Sequence, residues 1–323
     1  MRAAQATMLV LLAVSMSRGT TQESVLKRQP PLYIVSMMHA EDRMWFKESR
    51  PRFTGHAENL RRLTNRFHAH GAKLAFQPDW TFIAGAEKWD PGLFTWLLDR
   101  GMGVDAHTHA NHGYTLEKVA DMLKACGVPQ VRVGNGHFDK PVLFGMNMFW
   151  AFSQPQKETG KPYFEAICAY KDSTTGEVDR SQIVWRPRQS GDWHVHDPKT
   201  PVFYIGGGPM GALKSFVQLE EVLRFRLPRV EPGYTNVMYW HDSLHNYPRS
   251  RRAAERIEQW DRFLGEVIDP LAASGKVRWA TFSEILDAYL ALEQSGASAL
   301  EPGDEIPQVL GPGHIDQSAS GPP

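Results

Sequence analysis

Apolar runs of strand length alternate with stretches of helical periodicity along most of this chain. Leu32–Met38 is a continuous apolar run rich in strand formers and reads as a first buried strand. Gly55–His70 follows with Leu60, Leu63 and Phe67 on one side, and Gly71 ends that helix. Lys73–Gln77 reads as a second strand. Gly92–Gly101 reads as a helix with Leu93, Trp96 and Leu97 on one face. Residues 102–107 make a third strand, and Leu116–Cys126 a helix with Val119, Met122 and Leu123 at helical spacing. Further on, Gln130–Val133, Ile183–Trp185, Val202–Ile205, Asn236–Trp240 and Lys276–Ala280 are strand candidates. Pro141–Phe152, Lys214–Arg226 and Arg251–Ser274 carry helical patterns. Thr281 with Glu284 three residues on is a capping box that opens a last helix. Ser153–Asp192 is irregular apart from Ile183–Trp185. The strand–helix alternation predicts a mainly parallel sheet of the α/β class.

The ends break this pattern. Arg2, the apolar run Met8–Val14 and the small, mostly polar Ser15–Thr21 follow the order of a secretory signal, so residues 1–20 are expected to direct export to a secreted or periplasmic location. Residues 21–31 read as a linker, 32–292 as the folded unit, and 293–323, rich in Ser, Gly, Pro and Ala, as a tail without fixed structure. The 323-residue length suits one α/β barrel or two smaller domains, and 42% hydrophobic residues with ten Trp can fill a sizeable core. The formal net charge of zero offers no basic footprint for nucleic acid. No apolar run is long enough for a membrane span in the mature chain. Export would permit a disulfide between the two cysteines, Cys126 and Cys168. The apolar helix face around Cys126 suits a free thiol equally well.

Chemistry gathers where strands end. His107, His109 and His112 fall within six residues at the end of the third strand, with Asp105 just before them. Neutral imidazole is a good ligand for zinc-like metals, and the end of a parallel strand is where β/α folds build sites. A solvated His-rich loop is the bland alternative. The first strand runs into His39-Ala40-Glu41-Asp42-Arg43, the second into Pro78-Asp79-Trp80, and Asn236–Trp240 into His241-Asp242-Ser243. Gly134-Asn135-Gly136 follows the strand at 130–133; no Gly-Lys-Ser/Thr follows, so it is not a phosphate loop. One carboxylate and two imidazoles, brought together across a cleft, would leave a metal an open position for water or substrate.

The segments Asp105–Thr115, Val131–Phe138, the strand ending at His241 and Val277–Tyr289 resemble the polysaccharide deacetylase family over about residues 32–292. The resemblance implies a distorted β/α barrel that holds a divalent metal, usually zinc, through one Asp and two His, and that hydrolyses acyl groups on sugars. By position it implies Asp42, His107 and His112 as metal ligands, with His109 able to replace either imidazole. It implies Glu41 as base, Arg132 as the residue orienting that base, and His241 as acid. Trp80, Trp193 and Trp240 are candidates to line a sugar subsite, with core packing as the alternative for each. The family's first motif has two adjacent aspartates and a glycine where this chain has Glu41-Asp42-Arg43. Its ligand histidines stand four apart, whereas His107 and His112 stand five apart.

The function these readings favour is a secreted metal-dependent hydrolase that removes N- or O-acetyl groups from a polysaccharide. The alternatives are a carbohydrate-binding protein of the same fold without catalysis, and a metal-dependent amidase or esterase for a small substrate.

Overall fold

The structure, a computed structural model, describes residues 29–41, 43–109, 113–136, 164–168, 180–188, 192–208 and 215–309. The expected signal segment 1–20, the expected helix Pro141–Phe152, and two expected metal ligands, Asp42 and His112, lie outside these residues. In chain order the elements are β1 (Leu32–Ala40), α1 (Trp45–Glu48), α2 (Arg50–Ala69), β2 (Leu74–Pro78), α3 (Trp80–Trp89), α4 (Leu93–Leu98), β3 (Gly103–Val104), β4 (Ala106–His107), α5 (Leu116–Ala125), β5 (Val133–Asn135), β6 (Ala166–Cys168), β7 (Val184–Trp185), β8 (Phe203–Ile205), α6 (Phe216–Arg226), β9 (Val237–Ser243), α7 (Arg251–Phe263), α8 (Asp269–Ala273), β10 (Val277–Trp279) and α9 (Phe282–Gln294).

Strand β1 is the axis of the assembly. Tyr33–His39 pair in parallel with β9 along one edge. On the other edge Leu32–Ile34 pair with β10 and Ser36–Ala40 with β2, both in parallel. β3 extends this sheet beyond β2, and β4, β5, β6, β8 and β7 form a second sheet. Single contacts join the two sheets. Asp105, between β3 and β4, donates its amide to Phe76 O at 3.0 Å. At the other seam Val237 N donates to Gln182 O (2.7 Å) and Tyr239 N to Gly207 O (3.1 Å). Seams in place of continuous ladders make this a distorted β/α barrel, the expected fold.

Side chains two apart on a strand share a face. Val35, Met37 and His39 therefore line the barrel interior with Ala75 and Gln77, Asp105 and His107, and Val133 and Asn135. Below the polar layer, Val35, Met37, Ala75, Val133, Phe203 and Tyr239 pack with Phe282, Ile285, Leu286 and Tyr289 of α9. The larger core lies between the strands and the outer helices. There Trp260 of α7 meets Phe67 of α2 (5.2 Å between ring centroids), Phe216 of α6 (4.8 Å) and Trp240 of β9 (5.9 Å).

Several elements depart from the sequence expectation. The pattern overlooks α3, because Pro78-Asp79-Trp80 looks like a loop. Asp79 is in fact the helix N-cap, its carboxylate accepting from the amides of Thr81 and Phe82. β5 begins at the last residue of its expected range, and β6 falls inside the stretch without assignment. The long helix expected at 251–274 contains a wider turn at Leu264–Ile268, just before Pro270, whose missing N–H breaks the regular ladder. The tail expected to lack structure is docked as far as Val309. Ile306 is buried, Ile306 N donates to His194 O, His196 N to Asp304 O, and Val309 N to Arg180 O. Glu293 holds Arg186 through two oxygens at 2.9 Å each, which ties the end of α9 to the second sheet. Both cysteines are free, Cys168 buried and Cys126 half-buried.

β9 leaves the barrel through a buried polar clamp. Asp242 Oδ2 accepts from Tyr247 Oη (2.6 Å) and from Arg256 Nη2 (3.0 Å). Its Oδ1 accepts from Ser243 N and Asn246 Nδ2, both at 2.9 Å. Trp260 Nε1 in turn donates to Tyr247 Oη at 2.8 Å. Asp242→Ala leaves a half-buried guanidinium and a buried phenol without their acceptor, and is expected to cost about 3 kcal/mol in urea unfolding. An unchanged midpoint would show that the clamp is dispensable. At the seam, Gly207 has φ of +103°, and a Cβ there would stand 2.4 Å from Val237 O. Gly207→Ala is expected to lose about 2 kcal/mol or more in the same assay; a wild-type midpoint would mean that β8 and β9 need not approach so closely.

Candidate metal centre

The parallel register sets polar side chains in adjacent pairs at the C-terminal ends of the strands. His39 of β1 stands opposite Gln77 of β2, and His107 of β4 opposite Asn135 of β5. His241 of β9 is paired with Met37, one layer over from His39. Glu41 leaves the end of β1 two residues after His39 and so turns the same way.

These groups converge on one atom. Glu41 Oε2 contacts His107 Nε2 and lies 3.4 Å from His109 Nε2 and 3.5 Å from His39 Nδ1. His107 Nε2 and His109 Nε2 are 3.3 Å apart. The His39 ring stacks obliquely between those of His107 and His241, at centroid separations of 4.1 and 4.2 Å. His39, Glu41 and His241 each present a ligand atom within 4.8 Å of the others, and so do Glu41, His107 and His109.

The electrostatics suit a cation. Burial opposes the charge of Glu41, but His107 and His39 outweigh it and hold the carboxyl well below its usual range. Burial, reinforced by His107, lowers His39. Burial, reinforced by His39, pushes His241 down to about 3. Burial thus disfavours the charged forms of His39 and His241 beside an anionic carboxylate. Oε2 is buried and makes no directed hydrogen bond among the described residues, and neither do His107 Nδ1 and His241 Nε2. A carboxylate oxygen ringed by imidazole nitrogens is an arrangement that a divalent ion can occupy, and a carboxylate with several imidazoles is a borderline-soft donor set of the kind zinc takes. These residues fit the metal the resemblance implies.

His245, in the turn after β9, lies near Glu41; burial, with Arg43 beside it, lowers the His245 imidazole to about 4. Asp105 lies one layer beneath His107. Burial raises its carboxyl to about 7 against the opposing charge of Arg132, and Oδ2 has no hydrogen-bond partner among the described residues.

The sequence expectations for the site fare unevenly. Glu41, His107, His109 and His241 are brought together. His39 joins them although it carried no assigned role; its parity with Val35 and Met37 on β1 was the available signal. Arg132 does not orient Glu41. Its guanidinium is engaged by Glu165 through Nε and Nη2 (2.9 Å each), by Asp287 (2.7 Å) and by Ser283 O. Trp193 and Trp240 belong to the core. Trp240 is 1% exposed against Trp260 and Trp279, and Trp193 is 2% exposed against Trp185 and Tyr204. Trp80 is also covered, stacked on Tyr114 at 4.2 Å with Lys47 Nζ over its ring at 4.4 Å. None of the three offers a sugar an open aromatic face.

No protein-family model matches the chain, and no curated protein matches it in sequence. Among solved structures it is similar to a provisionally named polysaccharide deacetylase from Mycobacterium smegmatis, with a TM-score of 0.52 at 12% identity over 88% of this chain and 96% of that one. It is also similar to a 4-alpha-glucanotransferase from Thermococcus litoralis, with a TM-score of 0.46 at 12% identity over 80% of this chain, which spans only 38% of that protein. A third similar structure is the peptidoglycan deacetylase PdaC of Bacillus subtilis, with a TM-score of 0.40 at 7% identity over 83% of this chain and 95% of that one. At these identities the likeness is one of fold: the chain has the α/β fold of a polysaccharide deacetylase.

Proposed function

We propose that this protein is a metal-dependent hydrolase that removes N- or O-acetyl groups from a polysaccharide, acting outside the cytoplasm as the pattern of residues 1–20 suggests. The observation that carries the proposal is the approach of His39, His107 and His109 to the single buried oxygen of Glu41, with His241 in reach of the same carboxylate. Glu41, with imidazoles drawn from His39 and His241 or from His107 and His109, would hold the ion. When bound, a divalent metal such as zinc would polarise the acyl carbonyl and acidify a water molecule. Glu41 supplies the negative charge of the site, which places it with the ligands and away from the base role that the resemblance gives it. His39 and His241 stay neutral through burial and so offer lone pairs without adding charge. His109 is more exposed than His39 and His107, at 20% of its side chain against 9% and 2%, and so stands nearer to an incoming substrate than they do.

The test is metal content together with acetate release. The purified chain is expected to carry zinc or to bind it stoichiometrically, and to release acetate from chitin oligomers or acetylated xylan. Glu41→Gln and His107→Ala are expected to lose at least tenfold in metal affinity while far-UV circular dichroism is unchanged. Full metal retention in both variants would remove the cluster from the site. Metal binding with no acetate release would favour the carbohydrate-binding alternative, and release only from small acetylated esters or amides would favour the small-substrate one.

A further inference from the structure

The interior beneath the cluster contains two buried amides that the proposed chemistry does not use. Gln77 is fully buried and Asn135 is 3% exposed. The register that puts Gln77 beside His39 also puts Asn135 beside His107. Gln77 Oε1 lies 2.9 Å from His39 Nε2 and 2.9 Å from Asn135 Nδ2, and Asn135 Nδ2 is itself 3.0 Å from His39 Nε2. The other end of the Gln77 amide, Nε2, donates to Cys168 Sγ at 3.6 Å, and Asn135 Nδ2 also reaches Met37 Sδ at 3.5 Å.

With the Gln77 amide oriented so that its Nε2 meets Cys168 Sγ, its Oε1 faces His39 Nε2. Gln77 Oε1 cannot donate. An unprotonated His39 Nε2 would therefore set two lone pairs against each other at 2.9 Å. A proton on Nε2 removes that repulsion and donates to Oε1. Asn135 then sends its two hydrogens to Gln77 Oε1 and Met37 Sδ. With Nε2 protonated in a neutral ring, Nδ1 holds the lone pair, and Nδ1 is the nitrogen that faces Glu41 Oε2.

The structure assigns Gln77, braced by Asn135, as the positioning residue that locks His39 in its Nε2–H tautomer, so that His39 meets the ion through Nδ1. This rests on the metal reading above and specifies how one imidazole of that site is prepared. A neutral amide acceptor orients the ring as a carboxylate would, without adding a second negative charge to an interior that already contains Glu41 and Asp105. Such outer partners fix ring orientation and typically contribute 10- to 100-fold, roughly, to metal affinity.

The first measurement needs neither a metal nor a variant. A long-range ¹⁵N–¹H spectrum of the metal-free, ¹⁵N-histidine-labelled chain, with the His39 signals assigned by their loss in His39→Phe, is expected to show a protonated Nε2 and a pyridine-like Nδ1. The opposite tautomer, or a mixture, would overturn the assignment. The second measurement is zinc or cobalt affinity. Gln77→Leu is expected to weaken it by about 10- to 100-fold, and Gln77→Glu, which keeps an acceptor for Nε2–H, is expected to restore most of the loss. A folded Gln77→Leu protein with wild-type affinity would overturn the positioning role. Should Gln77→Leu fail to fold, Asn135→Ala read by the same spectrum is expected to show the His39 tautomers mixing, and an unchanged Nε2–H tautomer there would remove Asn135 as the brace. A wild-type chain that binds neither metal would defeat the proposed function, while the spectrum would still decide the tautomer.

Discussion

One buried carboxylate oxygen governs the architecture around it. Taking an ionised carboxylate out of water costs several kcal/mol, even after the protein relaxes, unless opposite charge or hydrogen bonds replace the lost water. Glu41 Oε2 has no directed hydrogen bond among the described residues, and burial disfavours the charged forms of His39 and His241 beside it. Compensation can come from imidazole N–H groups or from a positive charge at the point where the rings converge, a proton or an ion. The local geometry favours an ion: one shared proton can bridge the oxygen to a single nitrogen, whereas three nitrogens from three directions approach it here.

The fold delivers these groups by register. Strands β1, β2, β4, β5 and β9 end at the same pole, so their last inward-facing residues form a ring. His39, Gln77, His107 and Asn135 occupy that ring as register partners, and His241 joins from β9. Alternation along β9 then separates two tasks. His241 faces inward to the cluster. Asp242, next along the strand, faces outward into the clamp of Tyr247, Arg256 and Trp260, which holds the strand end still. Catalytic and binding constellations need such support, because a strand end is otherwise free to fray into its loop.

What the sequence disclosed follows the range of the physics involved. Strand ends and helix caps depend on a few neighbouring residues, so the β/α alternation, the Thr281–Glu284 cap and the chemistry at His107 and Glu41 were all readable. Roles that depend on which strand lies beside which were not. Arg132 has the right chemistry to orient a carboxylate, but its register sends it to Glu165 and Asp287. Trp193 and Trp240 look like sugar platforms until their neighbours are in place, Trp185 and Tyr204 against the first, Trp260 and Trp279 against the second. Gln77 and Asn135 show nothing in one dimension; their meaning arises when parallel pairing sets them beside imidazoles. The docking of residues 297–309 was hidden for the same reason, since the contacts of Ile306 and Val309 lie with distant segments at His194 and Arg180.

Barrel interiors are ordinarily filled by branched apolar side chains in layers. This one obeys that rule in its lower half, with Val35, Val133, Ile205 and Val237, and abandons it toward the pole where the strands end. Each departure there costs stability on its own: an Asp105 oxygen without a partner among the described residues, an amide pair, a ring of imidazoles, a buried thiol. A fold selected for stability alone would replace them with Val or Leu, as volume-matched apolar groups commonly do at least as well as buried polar ones. The polar groups are not scattered, however. They occupy the top layer and the one directly beneath it, and the amides among them are satisfied by one another and by His39. A local conflict with the packing rule, confined to the pole where β/α folds build their sites and resolved inward to a single oxygen, is what a functional centre looks like when read from packing alone.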